Sequence, residues 1–181
     1  AALFDTILAE SGIDSEFVDF TDEGFPLIVN GDSHNARINF GASRRAASKL
    51  KGKHRFTVLP GYGGYDMKNR NLKTLGRGGS DTSAMGNMYA FQAGSLWIVS
   101  DVPGILRYAG LKGSGKEQDV VPCLGIDETK DAASLGAKLP GRKAVEGAEM
   151  CFREGAYPSI YVTMDADISG HRTRIVPHDE R

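Results

Sequence analysis

The chain has 181 residues with 22 Lys+Arg against 23 Asp+Glu, a net charge of -1, which is long enough to bury a core without disulfide or metal staples. Its two cysteines, Cys123 and Cys151, lack CxxC or Cys/His spacing, which excludes a disulfide scaffold and a zinc module and points to a reducing cytoplasm. The near-neutral balance argues against a dedicated nucleic-acid binder, and no apolar run reaches the roughly 20 residues of a membrane span.

In chain order, Leu3, Phe4, Ile7 and Leu8 fall on one face and Gly12 follows, so residues 1 to 11 are predicted as an amphipathic helix. An acidic flank and no basic n-region make this segment something other than a signal peptide. EFVDF at 16–20, PLIV at 26–29 and ARINF at 36–40 are predicted strands, the second the more buried. SRRAASKL from Ser43 is predicted as a short helix capped by that serine. RFTVLPG at 55–61 is a strand running into a glycine turn, and the polar stretch YDMKNRNLK reads as loop. TLGRGGSDTSAMGNMYAFQAG then reads as a loop leading into a helix, with Ser80 or Asp81 near its N-cap and Gly94 at its end. LWIVS at 96–100 has the continuous apolar pattern of a strand covered on both faces. Helical patterns at 127–136 and 142–154 and strands at 159–164 and 173–176 complete the chain, and 109–119 is its only linker-like stretch. Strands alternating with helices predict an α/β fold with a largely parallel sheet sandwiched by helices.

Glycine numbers 23, about one residue in eight against a usual share of about 7%. That excess, without a collagen period, points to backbone that turns tightly or comes close to a ligand. In such folds ligands bind beyond the carboxyl ends of strands, where loops lead into helix N-termini. LPGYGG and TLGRGGSD both stand in that position. Gly78 and Gly79 let backbone amides approach an anion, and the helix that follows adds its positive end. Arg77 supplies a planar fork for a carboxylate or phosphate, while Ser80 and Asp81 add a hydroxyl and an acceptor for an ammonium group.

The order PGYGG, TLGRGGSD, helix, WIVSDVPGI, DETKDAASLGAK resembles the catalytic domain of aspartate kinases in the amino-acid kinase superfamily. Thr74 to Asp81 matches that family's octapeptide without a change, far more specific than a lone GxGxxG, and ISGHRTRIV is similar to its closing strand. The resemblance implies that Arg77 clamps the α-carboxylate of L-aspartate, that Ser80 and Asp81 hold its polar groups, and that Tyr62 replaces the family's phenylalanine beside it. It also implies that Ser100 and Asp101 lie on the nucleotide side with Gly78 and Gly79, and that Lys138 reaches the phosphates of ATP, used with Mg2+. No residue of the chain itself is expected as a metal ligand.

Departures accompany the match. The family's Lys-Phe-Gly-Gly-Thr motif and the glutamate just before the helix with which this chain opens are absent, Leu106 and RYAGLKG replace a Tyr and a Thr-x-Asp-Pro-Arg, and Pro140-Gly141 replaces His-Pro. The expectation is therefore a single partial domain over 1–181, lacking the N-terminal part, with a substrate-side region at 1–60, a nucleotide-binding region at 61–181 and no regulatory domain. Small-molecule partners, a homo-oligomer or partner subunit, no nucleic acid and no membrane complete it.

Other signals carry less. GLKGSGKE at 110–117 nearly spells a P-loop, but Glu117 stands where the magnesium-binding Ser/Thr is needed, so it reads as a surface loop. The basic run from Arg37 to Arg55 reads as the solvated face of a helix. His34, His54, His171 and His178 lack metal spacing, and Met67, Met85 and Met88 read as core filling.

Overall fold

In the computed structural model, which describes residues 1–22, 24–106, 120–135, 140–164, 170 and 172–177, the chain divides into two units, Ala1–Gln92 and Ala93–Arg181. The first opens with α1 (Ala2–Glu10), whose apolar stripe faces solvent: Leu3 is 74%, Phe4 57% and Ile7 50% exposed. β1 (Ser15–Phe17) pairs in parallel with β4 (Phe56–Val58). β2 (Val29–Asn30) pairs antiparallel with β3 (Arg37–Ile38), and β5 (Gly63–Asp66) with β6 (Asn71–Thr74). The apolar run around Pro26 supplies the centre of this unit, with Phe25, Leu27 and Val29 buried beside Leu75. β5 lies close against that run: a Cβ on Gly64 would overlap Val29 Cγ1 and stand 2.7 Å from the Leu27 carbonyl oxygen.

Two helices pack on each other in this unit, α2 (Phe40–Ala47) and α3 (Gly79–Phe91). The Arg44 guanidinium lies 4.2 Å above the Tyr89 ring, and Phe40 meets the same ring edge-on at 5.0 Å. Met85, Gly86, Met88, Tyr89 and Ala90 are all buried. Gly86 lets the helix lie close here: a Cβ would come within 2.5 Å of Ile38 Cδ1 and 2.9 Å of Leu27 Cδ1, so those side chains would have to shift.

Several local expectations are corrected. α2 starts at Phe40, capped by Asn39, whose side chain accepts the Ala42 amide at 3.1 Å. Ser43 is instead buried inside the helix and bonds the Ile28 backbone, accepting its amide at 2.9 Å and donating to its carbonyl at 3.2 Å. α2 ends at Ala47, so Lys49, Lys51, Lys53 and Arg55 are exposed on the turns after it and not on a helix face. Met67 is 63% exposed, unlike the buried Met85 and Met88.

The polar stretch read as loop holds the β5–β6 hairpin. Period-2 apolar alternation is missing there because all of β5 is buried, Gly63, Gly64, Tyr65 and Asp66, and the buried residue of β6 is Lys73. Asp66 and Lys73 form a buried ion pair at 2.6 Å, and Lys73 Nζ also donates to the Gly31 carbonyl at 2.6 Å. Asp66 further accepts the Lys68 and Asn69 amides and the Asn69 side chain, which builds the turn. These bonds, the Lys73 ammonium first, hold its carboxyl well below the usual carboxylate range.

A second polar cluster ties β1 to the segment before β4. His54 Nδ1 lies 2.8 Å from Asp14 Oδ1, Asp14 Oδ2 accepts the Arg55 amide at 2.8 Å, and Glu16 Oε2 stands 3.7 Å from His54 Nε2. The Asp14 hydrogen bond raises His54 above its ordinary value, with Glu16 adding to the rise and Lys53 opposing it, and the same bond lowers Asp14. A raised histidine contributes stability in full below its unfolded value, about 6.5, and loses it as pH climbs through the folded value. The lowered Asp14 contributes above its unfolded value, about 3.9, and loses it as pH falls through the folded one. An NMR titration of His54 is expected to give a midpoint above 6.5 that Asp14→Asn moves back down; an unshifted midpoint in the unsubstituted chain would contradict the pairing.

The second unit is built on one sheet, in the order β7 (Ser95–Val99), β9 (Ser159–Thr163), β10 (Arg172–Val176), β8 (Cys123–Gly125). β7–β9 and β8–β10 are parallel and β9–β10 antiparallel. The α/β class with parallel strands and helices is therefore observed, with antiparallel pairs added to it. α4 (Ile126–Ser134) packs on α5 (Arg142–Arg153), and Lys130 of one pairs with Glu149 of the other. β7 departs from expectation: among the described residues it is an edge strand, half-buried along its centre, with Val99 58% exposed. The ring of Trp97 packs tilted, centroids 4.4 Å apart, against its cross-strand neighbour Tyr161, and the Arg172 guanidinium lies over both rings. The linker-like stretch 109–119 and the near-P-loop at 110–117 lie outside the described residues.

Among the described residues, no helix is long and apolar enough to cross a membrane.

Candidate functional site

β6 delivers the chain through Leu75, Gly76, Arg77 and Gly78 into α3. Gly76 and Gly78 have φ of 79° and 71°, the left-handed region that glycine enters without penalty. A Cβ on Gly76 would also crowd Asn35 Oδ1 at 3.1 Å and the His34 carbonyl at 3.2 Å. Gly78 is the N-cap, so Ser80 and Asp81 stand near it, as expected, within the first turn of the helix. No side chain caps the helix. With Arg77 and Ser80 exposed beside it, its N-terminal end is an arrangement able to receive an anion.

The other glycine loop closes on the same place. Tyr62 adopts φ 75°, unusual for a side-chain-bearing residue, and its ring lies across Gly79, where a Cβ would sit 2.8 Å from Tyr62 Cδ2 and 3.1 Å from the Tyr62 carbonyl oxygen. The Tyr62 amide donates to Ser83 Oγ at 3.1 Å, and its carbonyl accepts the Leu75 amide at 2.9 Å. Tyr62, Arg77, Gly78, Gly79, Ser80 and Asp81 are therefore gathered in the first unit. Burial pushes the Asp81 carboxyl above the ordinary aspartate value, so a cation placed against it would bring it back toward the charged form.

Ser100 and Asp101 belong to the second unit, just past the carboxyl end of β7. The Ser100 amide donates to the Thr163 carbonyl at 2.8 Å, and its hydroxyl to Asp101 Oδ1 at 3.1 Å. Lys138 lies outside the described residues. Two positions escaped the sequence reading. Ser83 is buried one turn into α3, where only its i+3 spacing from Ser80 gives a signal. Thr173, buried in β10, accepts the Ile105 amide at 2.7 Å and donates to the Val121 carbonyl at 2.7 Å, anchoring the loop after β7. A Cβ on Gly104 would strike Thr173 Oγ1 at 2.9 Å, so the loop passes this anchor at backbone distance.

Among the described residues no group of three or more His, Cys, Asp or Glu side chains could hold a metal ion. Donors for a magnesium ion would therefore come largely from a bound phosphate and water.

A model of the amino acid kinase family matches residues 1–151. An aspartate kinase of Stutzerimonas stutzeri is 29% identical over 177 residues, covering 93% of this chain and 41% of that protein. Aspartokinase 2 of Bacillus subtilis is 31% identical over 152 residues, covering 82% and 35%. The crystal structure of E. coli aspartokinase III in complex with aspartate and ADP (R-state) superposes with a TM-score of 0.76 at 22% identity, over 98% of this chain and 38% of that one, a likeness of fold. The chain spans about two fifths of the length of the curated relatives it matches.

Proposed function

Because the chain belongs to the amino acid kinase family, we propose that it forms part of an aspartate kinase, which moves the γ-phosphoryl group of ATP onto the β-carboxylate of L-aspartate to give 4-phospho-L-aspartate, a step of lysine and threonine biosynthesis. The observation that carries this reading is the unbroken TLGRGGSD of Thr74–Asp81, folded into an uncapped helix start with Tyr62 laid over it. In this reading Arg77 grips the α-carboxylate by two parallel hydrogen bonds, Asp81 receives the α-ammonium, Ser80 bonds a substrate oxygen, and the Tyr62 ring flanks the acceptor. Gly78, with nothing near its Cβ position, keeps the backbone open to the transferred group, while Gly79 makes room for the Tyr62 ring. Ser100, Asp101 and Lys138 are assigned to the nucleotide, with Lys138 on its outer phosphates beside Mg2+.

The chemistry asks little else of the protein. A β-carboxylate is already a nucleophile, so one of its oxygens attacks the γ-phosphorus as ADP leaves, and no general base is needed. Rate comes from alignment and charge neutralisation. The two free cysteines, one exposed and one buried, suit a reducing cytoplasm. Oligomerisation or a partner subunit belongs to the same proposal.

Leu106 in place of the family's Tyr and Pro140-Gly141 in place of its His-Pro favour a second reading, a nucleotide-binding or assembly subunit without catalysis. Trapping the acyl phosphate with hydroxylamine separates the two, with residues 1–181 joined in cis to an upstream segment carrying the family's lysine and glutamate. A hydroxamate formed from L-aspartate, and not from L-glutamate or N-acetyl-L-glutamate, is the expected product. A product from another carboxylate would move the reading to a sister kinase, and none from any acceptor would favour the assembly subunit.

A further inference from the structure

A buried hydroxyl helps to join the two glycine loops. Ser83, 2% exposed, donates from Oγ to the Ser80 carbonyl at 2.8 Å and accepts the Tyr62 amide at 3.1 Å. A serine hydroxyl has one proton and two lone pairs, so it can serve the first turn of α3 and the Tyr62 loop at once. The fit is close on the loop side: a Cβ on Gly61 would stand 3.3 Å from Ser83 Oγ and 4.0 Å from Ser80 Cα.

Tyr62 needs such a hold. Its φ of 75° is disfavoured for any residue with a Cβ, and such backbone persists only where its surroundings over-determine it. Two bonds bracket the residue, Leu75 amide to Tyr62 carbonyl at 2.9 Å and Tyr62 amide to Ser83. Gly79 leaves the space the ring fills, while Tyr62 as a whole remains 48% exposed, available to a ligand at the helix start.

We infer that Ser83 is a positioning residue: by holding Tyr62 in its left-handed conformation with the ring across Gly79, it sets the distance between the aromatic wall and the Arg77–Asp81 turn and so fixes the acceptor site. The inference rests on the proposed acceptor role of that turn. Ser83 acts through the Tyr62 amide and the Ser80 carbonyl. Removing its hydroxyl leaves a Tyr62 amide without its acceptor and frees the backbone to return to negative φ.

The test uses Ser83→Ala and Ser83→Thr. Threonine keeps a γ-hydroxyl able to bond the carbonyl three residues back in a helix. Amide exchange by NMR on the 181-residue chain needs no ligand: the Tyr62 amide is expected to exchange at least tenfold faster in Ser83→Ala and near the original rate in Ser83→Thr. In the protein joined to the upstream segment, Ser83→Ala should raise the L-aspartate KM about tenfold, leave the ATP KM unchanged, and be rescued by Ser83→Thr. Unchanged Tyr62 exchange in Ser83→Ala overturns the hold whether or not the protein is a kinase. Faster exchange with an unaltered L-aspartate KM overturns the positioning role while the kinase reading stands. No aspartate-dependent turnover before any substitution overturns the kinase reading, and the exchange result still decides the hold.

Discussion

Residues 1–181 expressed alone are expected to release no ADP in response to L-aspartate, and the activity is expected to appear when an upstream segment bearing the family's glycine-flanked lysine and substrate-side glutamate is joined in cis. Phosphoryl transfer is catalysed by positioning and by charges aimed at the transferred group, so each preorganised donor matters individually. Losing one typically costs about 10² to 10³ in rate. With the lysine and the glutamate both absent, the deficit compounds to roughly 10⁴ or more, below what a coupled assay detects. The fold adds a second reason. β1 and β4 form a two-stranded parallel pair, an arrangement that proteins normally embed in a larger covered sheet, and the apolar stripe of α1 in the same unit faces solvent. Aspartate-dependent turnover by the isolated chain near that of a complete kinase would mean that these 181 residues hold every group required, and the site would be misplaced.

The largest loss of stability in the first unit is expected from Lys73→Ala. Its ammonium is buried between Asp66, at 2.6 Å, and the Gly31 carbonyl, so truncation leaves a buried carboxylate that kept its backbone bonds but lost its cation. Breaking one side of such a pair destabilises far more than replacing both sides. A fall in melting temperature of about 10 °C is expected for Lys73→Ala, and a smaller fall for Asp66→Asn with Lys73→Met, where no charge remains. The lowered Asp66 carboxyl contributes stability in full above its unfolded value, about 3.9, and loses it as pH falls through its folded value. The difference between the original chain and the double variant should therefore shrink in acid. Equal melting temperatures for Lys73→Ala and the original chain would show that the pair is open in solution.

What the sequence disclosed depended on how each segment buries its side chains. The run around Pro26, the long α3 and the β9 strand announce themselves because apolar residues fill their buried positions, Leu27, Met85, Met88 and Ile160 among them. The β5–β6 hairpin stays hidden because β5 is buried on both faces and, Tyr65 apart, its buried positions and that of β6 are two glycines and an ion pair, chemistry that carries no period-2 signal. Ser43 looked like a helix cap, yet it is recruited to the Ile28 backbone from within α2, and Asn39 caps instead. At the candidate site the glycines and Arg77 are legible because their roles are local. Ser83 and Thr173 are not, since each matters through a partner many residues away, Tyr62 and Ile105.

Arg77 tests the acceptor assignment most directly, through its conservative replacement. In the protein joined to the upstream segment, initial rates of ADP release are measured against L-aspartate and against ATP for the original chain and for Arg77→Lys. A lysine keeps the charge but cannot present two parallel N–H groups to a carboxylate, and a charge-assisted hydrogen bond lost at such a site corresponds to about 10- to 100-fold. The account predicts an L-aspartate KM raised by that factor with the ATP KM unchanged; an L-aspartate KM equal to that of the original chain would contradict it.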